Sequence, residues 1–420
     1  MRIFLSATIA LFAVSAQAQV TFTKDVAPIL QARCQSCHRP DTFAPMSLLT
    51  YEDARPWAKS IRQKVVAREM PPWYIDKNVG VRHFKNDVSL TDQEITTIVQ
   101  WVDGGAQRGN PKDMPVARKF DDSDQWHMTP DLIVTLPKDQ FVQAKAADRW
   151  IDVVADPGLT EDRYIQGIEV KPIKGFRAVH HVTTSMKHDD DADDGDNVQG
   201  TFLNEYALGK NADMFPEGAG RLIKAGTKIN FNLHLHAIGQ DTPVNVALGL
   251  KLYPKGYSPK YNETTEKIGD PKDLDLPPNT DSVRFDAYNT LTKPARLLSF
   301  QPHMHNRGKA SCMEAIYPGG HKVEMISCVS HYQFAWHLVY LYDDDYQPLL
   351  PAGTVLHLTS WYDNSTGNKF NPDSDNTITY GQRTIDEMGG AWVSYYNLTD
   401  EEYKQQVAAR KTRQAPVATE

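Results

Sequence analysis

The chain has 420 residues, enough by length for roughly two to four domains. Its net charge is -8 with both signs mixed along the sequence, which excludes the basic face that a nucleic-acid or anionic-membrane partner requires. Twenty-six prolines, 25 glycines and many short alternating runs predict β-rich structure over most of the length.

Residues 1–18 read as an export signal. Arg2 supplies the positive start, Ile3 to Val14 is apolar, and Ala16-Gln17-Ala18 is a small-x-small cleavage site. The apolar stretch is shorter than the about 20 residues a spanning helix needs. No later stretch is long and apolar enough, so the expectation is a chain without a membrane span, periplasmic or secreted, starting near Gln19.

Residues 20–110 read as a small helical domain. Val26, Ile29 and Leu30 recur at helical spacing in Phe22 to Ala32. Cys34-Gln35-Ser36-Cys37-His38 follows, the CxxCH signature of covalent c-type haem: two thiols for thioethers and a histidine for iron. A second helix is predicted from Thr50, with Trp57, Ile61 and Val65 on one face. A third starts at Thr91, with Leu90 as staple and Glu94 completing a capping box. Ile95, Ile98, Val99 and Val102 form its stripe, and Gly104-Gly105 ends it.

Three helices around CxxCH resemble a class I cytochrome c. That resemblance implies a sixth iron ligand from the same domain. Met70, opening Met70-Pro71-Pro72-Trp73 between the second and third helices, is the expected one, as His/Met ligation is a known haem arrangement. Met46 and His83 compete with it. Residues 111–125 are polar, proline-bearing and predicted to be a linker.

Eleven of the 14 histidines lie at or beyond His180, and several are paired, a pattern that points to metal more than scattered histidines do. His180 and His181 are consecutive, so on a regular strand they face opposite ways; one metal can take both only if the backbone bends or one ring uses its other nitrogen. Lys228 to His236 alternates: Ile229, Phe231, Leu233 and Leu235 point to a core, while Asn230, Asn232, His234 and His236 share the other face. His303 and His305 form an HxH, which puts both imidazoles on one strand face with Cα atoms about 7 Å apart. Imidazoles without carboxylates favour copper or zinc over calcium or magnesium.

These residues, in this order, resemble the copper monooxygenases typified by peptidylglycine α-hydroxylating monooxygenase and dopamine β-monooxygenase. The resemblance covers Trp126 to Tyr396. It implies two jelly-roll-like β-sandwich domains, 126–278 and 279–400, each holding one copper, before a tail at 401–420. His180, His181 and His234 match the ligands of an electron-entry copper. His303 and His305, followed by Gly308-Lys309, and Met388 in Asp386-Glu387-Met388 match those of the copper that binds O2, so these last three carry the catalytic expectation. The implied activity is hydroxylation of a C–H bond of a small organic substrate with O2. Electrons come from an external donor, an ascorbate-like reductant or a redox protein, and enter through the haem. The fold class implied for the whole chain is an all-α cytochrome c domain followed by two all-β sandwiches. The alternative is a haem and copper protein for electron transfer or copper handling, without substrate turnover.

The substrate positions depart from the peptide-specific enzymes. Gln301 stands where an arginine precedes the HxH, and Gly390 and Trp392 replace an asparagine and a tyrosine after the methionine. A carboxylate substrate loses its bidentate partner, so a glycine-extended peptide is not expected.

Cys312 and Cys328 flank the turn signal Tyr317-Pro318-Gly319-Gly320, and an exported hairpin predicts a disulfide between them; thiolate metal ligation is the alternative. His236 is read as solvent-facing or hydrogen-bonded rather than a ligand. His321, His331, His337 and His357 have no motif and are read as structural. The acidic run Asp189 to Asp196 lacks the final glutamate of a calcium loop and is read as a solvated loop.

Overall fold

Apolar residues at helical spacing build the core of the N-terminal part: Phe22, Val26, Leu30, Ile61, Val65, Ile98 and Trp101 all pack together. The computed structural model describes residues 19–414 except 41, 43, 121–125, 188–200, 209, 211, 270, 271 and 273. The expected signal segment 1–18 and the acidic run Asp189 to Asp196 lie outside the described residues. The chain divides into two units; one contains the residues before 72 and 88–119, the other 72–87 and 120 onward.

Every named element of the first unit is helical. A π-turn Phe22–Val26 runs into the helix Ala27–Arg33; Tyr51–Ala54, Ala58–Val66 and Asp92–Asp103 follow. The expected capping box is present, with Thr91 and Glu94 satisfying each other's backbone N–H. The expected face of the second helix is corrected at one position: Trp57 is 44% exposed. Pro56 sits in a tighter 3-10 turn, Arg55–Trp57, between Tyr51–Ala54 and Ala58–Val66. That turn shifts the phase, so Ile61 and Val65 reach the core while Trp57 does not.

The second unit is mostly β-sheet. Residues 72–87 begin it: Trp73 meets Tyr340 edge-on at 4.9 Å, and the Asp76 and Val81 N–H groups donate to the Cys328 and Ile326 carbonyls. One four-stranded antiparallel sheet orders Arg149–Ala155, Lys228–Leu235, Val179–Lys187 and Thr201–Tyr206. A second orders Val283–Thr290, Val355–Tyr362, Gly308–Ile316 and Val323–Val329. A larger sheet runs from Leu132–Thr135 through Thr242–Leu252, Arg163–Lys174, Ala219–Ile223, Tyr261–Ile268 and Ala391–Asn397 to Ala295–Pro302.

Val134, Ile165, Ile168 and Leu248 of the large sheet pack against Val182, Ile229, Phe231 and Leu233 of the first small sheet, which makes a sandwich. The alternation read from 229 to 235 is therefore the core face. The large sheet does not stop at residue 278. Pairing of Tyr261–Ile268 with Ala391–Asn397 carries it from the region 126–278 into the region 279–400.

Cys312 and Cys328 pair directly across two strands and form a disulfide. Residues 400–414 form a helix rather than an irregular tail. Thr399 and Glu402 cap its start, and Tyr403 and Val407 pack on the first sandwich core. Among the described residues no helix is long and apolar enough to cross a membrane.

Candidate metal centres

Gly175, with φ 65°, reverses the chain after the strand Arg163–Lys174, and a short turn Phe176–Ala178 delivers it to the strand Val179–Lys187. There the ladder slips. Val179 faces Leu235 and His181 faces His234, so His180 is the extra residue of a bulge. A bulge re-aims one side chain, and it supplies the backbone bend that a consecutive pair needs to serve one metal.

The result is a three-histidine cluster. Ring centres of His180, His181 and His234 stand 5.4, 4.7 and 5.0 Å apart, and one ligand atom from each lies within 4.8 Å of the others. The Nδ1 atoms of His180 and His181 are 3.1 Å apart. His234 is 1% exposed; its Nε2 bonds Asp148 at 3.0 Å, while its Nδ1 is buried without a partner. Trp150 stacks on the same ring at 4.0 Å. A carboxylate on one ring nitrogen with the other left open is the arrangement that fixes a metal-binding imidazole. Burial, and then the neighbouring histidines, push His180 down to about 3. Neutral imidazoles present lone pairs, so the cluster suits a cation. His236 stands 6.2 Å from His180, and its Nδ1 also lacks a partner.

The second cluster is held by a loop. His303 and His305 leave the end of the strand Ala295–Pro302 with ring centres 5.5 Å apart. Their segment is tied to 386–390 by backbone. His303 N–H donates to the Gly390 carbonyl at 2.9 Å, and His305 Nδ1 lies 3.1 Å from the Asp386 carbonyl. The tie centres on the fully buried Glu387, whose carboxylate accepts from the N–H groups of His305, Arg307 and Met388. Arg307, also fully buried, bonds the Asn364 side chain and the Ile385 and Asp373 carbonyls. Met388 is thus fixed beside the HxH at both ends of its backbone, its own carbonyl accepting from Tyr362 Oη at 3.1 Å. His303 Nδ1 is buried without a partner.

His337, read from sequence as structural, and Phe334 enter this region. His337, 5% exposed, lies 5.1 Å from His303 and 6.3 and 6.4 Å from His181 and His180, with a partnerless Nε2. Phe334 stands 5.8 Å from His180 and 5.7 Å from His305. Both sit on the connection between Val323–Val329 and Tyr340–Leu341, which Tyr332 anchors by exchanging hydrogen bonds with the Met304 backbone. A loop residue has no periodicity, so only its apolar neighbours, Phe334 and Trp336, signalled burial. His357 is structural as expected, bonded to Glu314 and Asp286.

Gln301 is buried. Its amide donates to the buried carboxylate of Glu205, and across the ladder it faces Trp392, which stacks on Phe202 at 4.3 Å. Gly390 has φ 143°, and a Cβ there would meet the Ile268 carbonyl at 2.8 Å, so no asparagine fits that backbone.

In the helical unit, Cys34, Cys37 and His38 occupy one turn, the His38 N–H donating to the Cys34 carbonyl at 2.9 Å. Both thiols are free, and burial pushes Cys34 up to about 12. His38 Nδ1 is 3.2 Å from the Met46 carbonyl, which leaves Nε2 for a metal. Met70 is half-buried. In the other unit, His83 stacks on Tyr346 at 3.8 Å.

No protein-family model matches the chain, and no curated protein does. Among solved structures it is similar to the major capsid protein P2 of bacteriophage PM2, at 8% identity, TM-score 0.31, covering 63% of this chain and 96% of that one. It is also similar to an allantoicase, at 12% identity, TM-score 0.16, covering 53% and 79%. A Paenibacillus xanthan lyase overlaps at 11% identity, TM-score 0.18, covering 68% and 28%. Overlaps this loose carry no argument about activity.

Proposed function

We propose that this chain is a periplasmic or secreted copper monooxygenase with its own c-type haem, which hydroxylates a C–H bond of a small organic substrate. One observation carries the reading. Two histidine clusters, His180/His181/His234 and His303/His305, stand in one unit, each with one buried ring nitrogen left open, and the Met388 backbone is fastened beside the second. Unpartnered buried nitrogens cost free energy unless a ligand completes them, so the donor set fits a metal. Three imidazoles, and two imidazoles with a thioether, are both copper donor sets. Copper bound there supplies a one-electron couple at the first site and O2 chemistry at the second.

The residues have separable tasks. His234, oriented by Asp148 and Trp150, holds the first metal with His180 and His181. His303, His305 and Met388 hold the second, positioned by Glu387. Glu205 faces Gln301 where a substrate carboxylate would otherwise find an arginine, which favours a substrate without a carboxylate. In the helical unit, Cys34 and Cys37 attach haem and His38 ligates its iron, held by the Met46 carbonyl. Met70, in the Met70-Pro71-Pro72-Trp73 segment, is the sixth ligand in this reading. Haem in that position supplies an electron carrier on the way to the histidine-only copper.

Metal analysis of the reconstituted protein tests the proposal. Two coppers per haem iron are expected, with Met388→Ala weakening one of them. One copper or none in the unsubstituted protein would reject a monooxygenase and leave an electron-transfer protein. Stopped-flow spectra address the haem separately: a reduced haem that copper and O2 never reoxidise rejects its role as donor.

A further inference from the structure

We propose that His337 is a copper ligand, adding an imidazole to His303 and His305 at the second site. The inference rests on the copper reading above. Copper and zinc bind imidazole nitrogen at about 2 Å, which puts each ring centre about 3 Å from the metal; two rings at a near-tetrahedral angle then stand about 5 Å apart. His303 and His337 meet that spacing at 5.1 Å, as do the expected pairs His181/His234 at 5.0 Å and His303/His305 at 5.5 Å. His337 lies farther from His180 and His181, beyond 6 Å from each, so of these three rings His303 is the one it approaches most closely.

Chemistry points the same way. His337 is 5% exposed, and its Nε2 is buried with no hydrogen-bond partner; the Nδ1 of His303 is in the same state. Two neighbouring imidazoles, each with a buried and unused nitrogen, are costly unless they share a cation. The loop that carries His337 is fixed to the HxH by Tyr332, whose hydroxyl both donates to and accepts from the Met304 backbone. His337 therefore arrives at a set position.

A third imidazole changes what the site does. Harder nitrogen donors favour Cu(II) over Cu(I) relative to a thioether-dominated set, so His337 lowers the potential of the second copper and restrains its reduction. The same ring also stands within 6.4 Å of His180 and His181.

The test uses the full-length haem protein loaded with copper alone, unsubstituted and as His337→Gln, with His331→Gln as an exposed control on the same loop. Loss of a ligand is expected to weaken one of two copper sites about 100-fold or more, above the 10–100-fold typical of outer-shell partners. The Cu(II)/Cu(I) potential of that site should rise, while His331→Gln changes neither. Pulsed EPR of the unsubstituted Cu(II) protein counts imidazoles without any variant: three on each copper is expected. Two coppers in the unsubstituted protein with only two imidazoles on one of them overturns this inference and spares the monooxygenase reading. Fewer than two coppers overturns both. An unchanged second site in His337→Gln overturns it as well.

Discussion

The two histidine clusters use opposite means to hold similar donors. The first is written into a sheet. His181 and His234 face each other across paired strands, and a one-residue slip brings His180 to the same side. The second hangs beyond a strand end, and its shape comes from one buried carboxylate that gathers three backbone N–H groups, from His305, Arg307 and Met388. Ladder bonds keep the backbone of the first site in place whichever side chain is lost. The second depends on Glu387 and on the segment 386–390, so a single change there can undo it. Metal sites on rigid elements keep their geometry better than sites on loops.

The sharpest way to break that comparison is at Glu387. Glu387→Ala leaves the N–H groups of His305, Arg307 and Met388 without an acceptor and takes a neighbouring negative charge from the buried Arg307 cation. Breaking a buried charged network of this kind costs about 3–5 kcal/mol. Chemical denaturation should show that loss, and copper analysis should show the second site gone and the first retained. Loss of both sites, or of neither, would remove the distinction between a sheet-held and a loop-held centre.

The reverse experiment is smaller in its structural effect. His181→Ala removes a ligand but leaves the ladder around it, so folding should change little while copper falls from two per chain to one. Spectra of the remaining copper should match the second site in the unsubstituted protein. If that copper also changes, the two clusters are coupled, and the connection carrying Phe334 and His337 is the route, since it touches both.

How much of this was legible follows the same division. Period-two alternation placed Ile229, Phe231, Leu233 and Leu235 in the core, because a strand writes its buried face into every second residue. The capping box at Thr91 was equally plain, since both partners are local. Local spacing likewise paired His180 with His181 and His303 with His305, while His234 joined the first pair only through the resemblance to the copper monooxygenases. Glu387, Asp148 and His337 were not legible as site residues. Each acts on a residue far along the chain, 82 positions in the case of Glu387 and His305 and 86 for Asp148 and His234. Local spacing cannot show that. The sheet that crosses residue 278 was hidden for the same reason, and Trp57 was misplaced because a proline reset the helical phase.

The disulfide offers an intermediate test. Cys312 and Cys328 close a loop with a sequence separation of 16 in the sheet next to the second cluster. A loop of that size constrains the unfolded chain by about 3 kcal/mol. The Cys312→Ser/Cys328→Ser double variant should unfold at correspondingly lower denaturant, yet bind two coppers when folded. Copper loss at the second site in folded protein would mean the strand Gly308–Ile316 helps shape it, and Glu387 alone does not.

Asp148 gives the smallest expected effect and the finest distinction. Its side chain is half exposed, so it adds little to folding, but it bonds Nε2 of His234 and leaves Nδ1 open. Asp148→Asn keeps the size and removes the negative charge that makes the imidazole a stronger donor. A partner of this kind is worth about 10–100-fold in metal affinity. Competition with a chelator should therefore show one copper weakened by that range and the other unchanged, with the melting temperature held. No change in affinity would mean that Trp150, stacked on the same ring, already fixes His234, and that the sheet-held site needs nothing beyond its own packing.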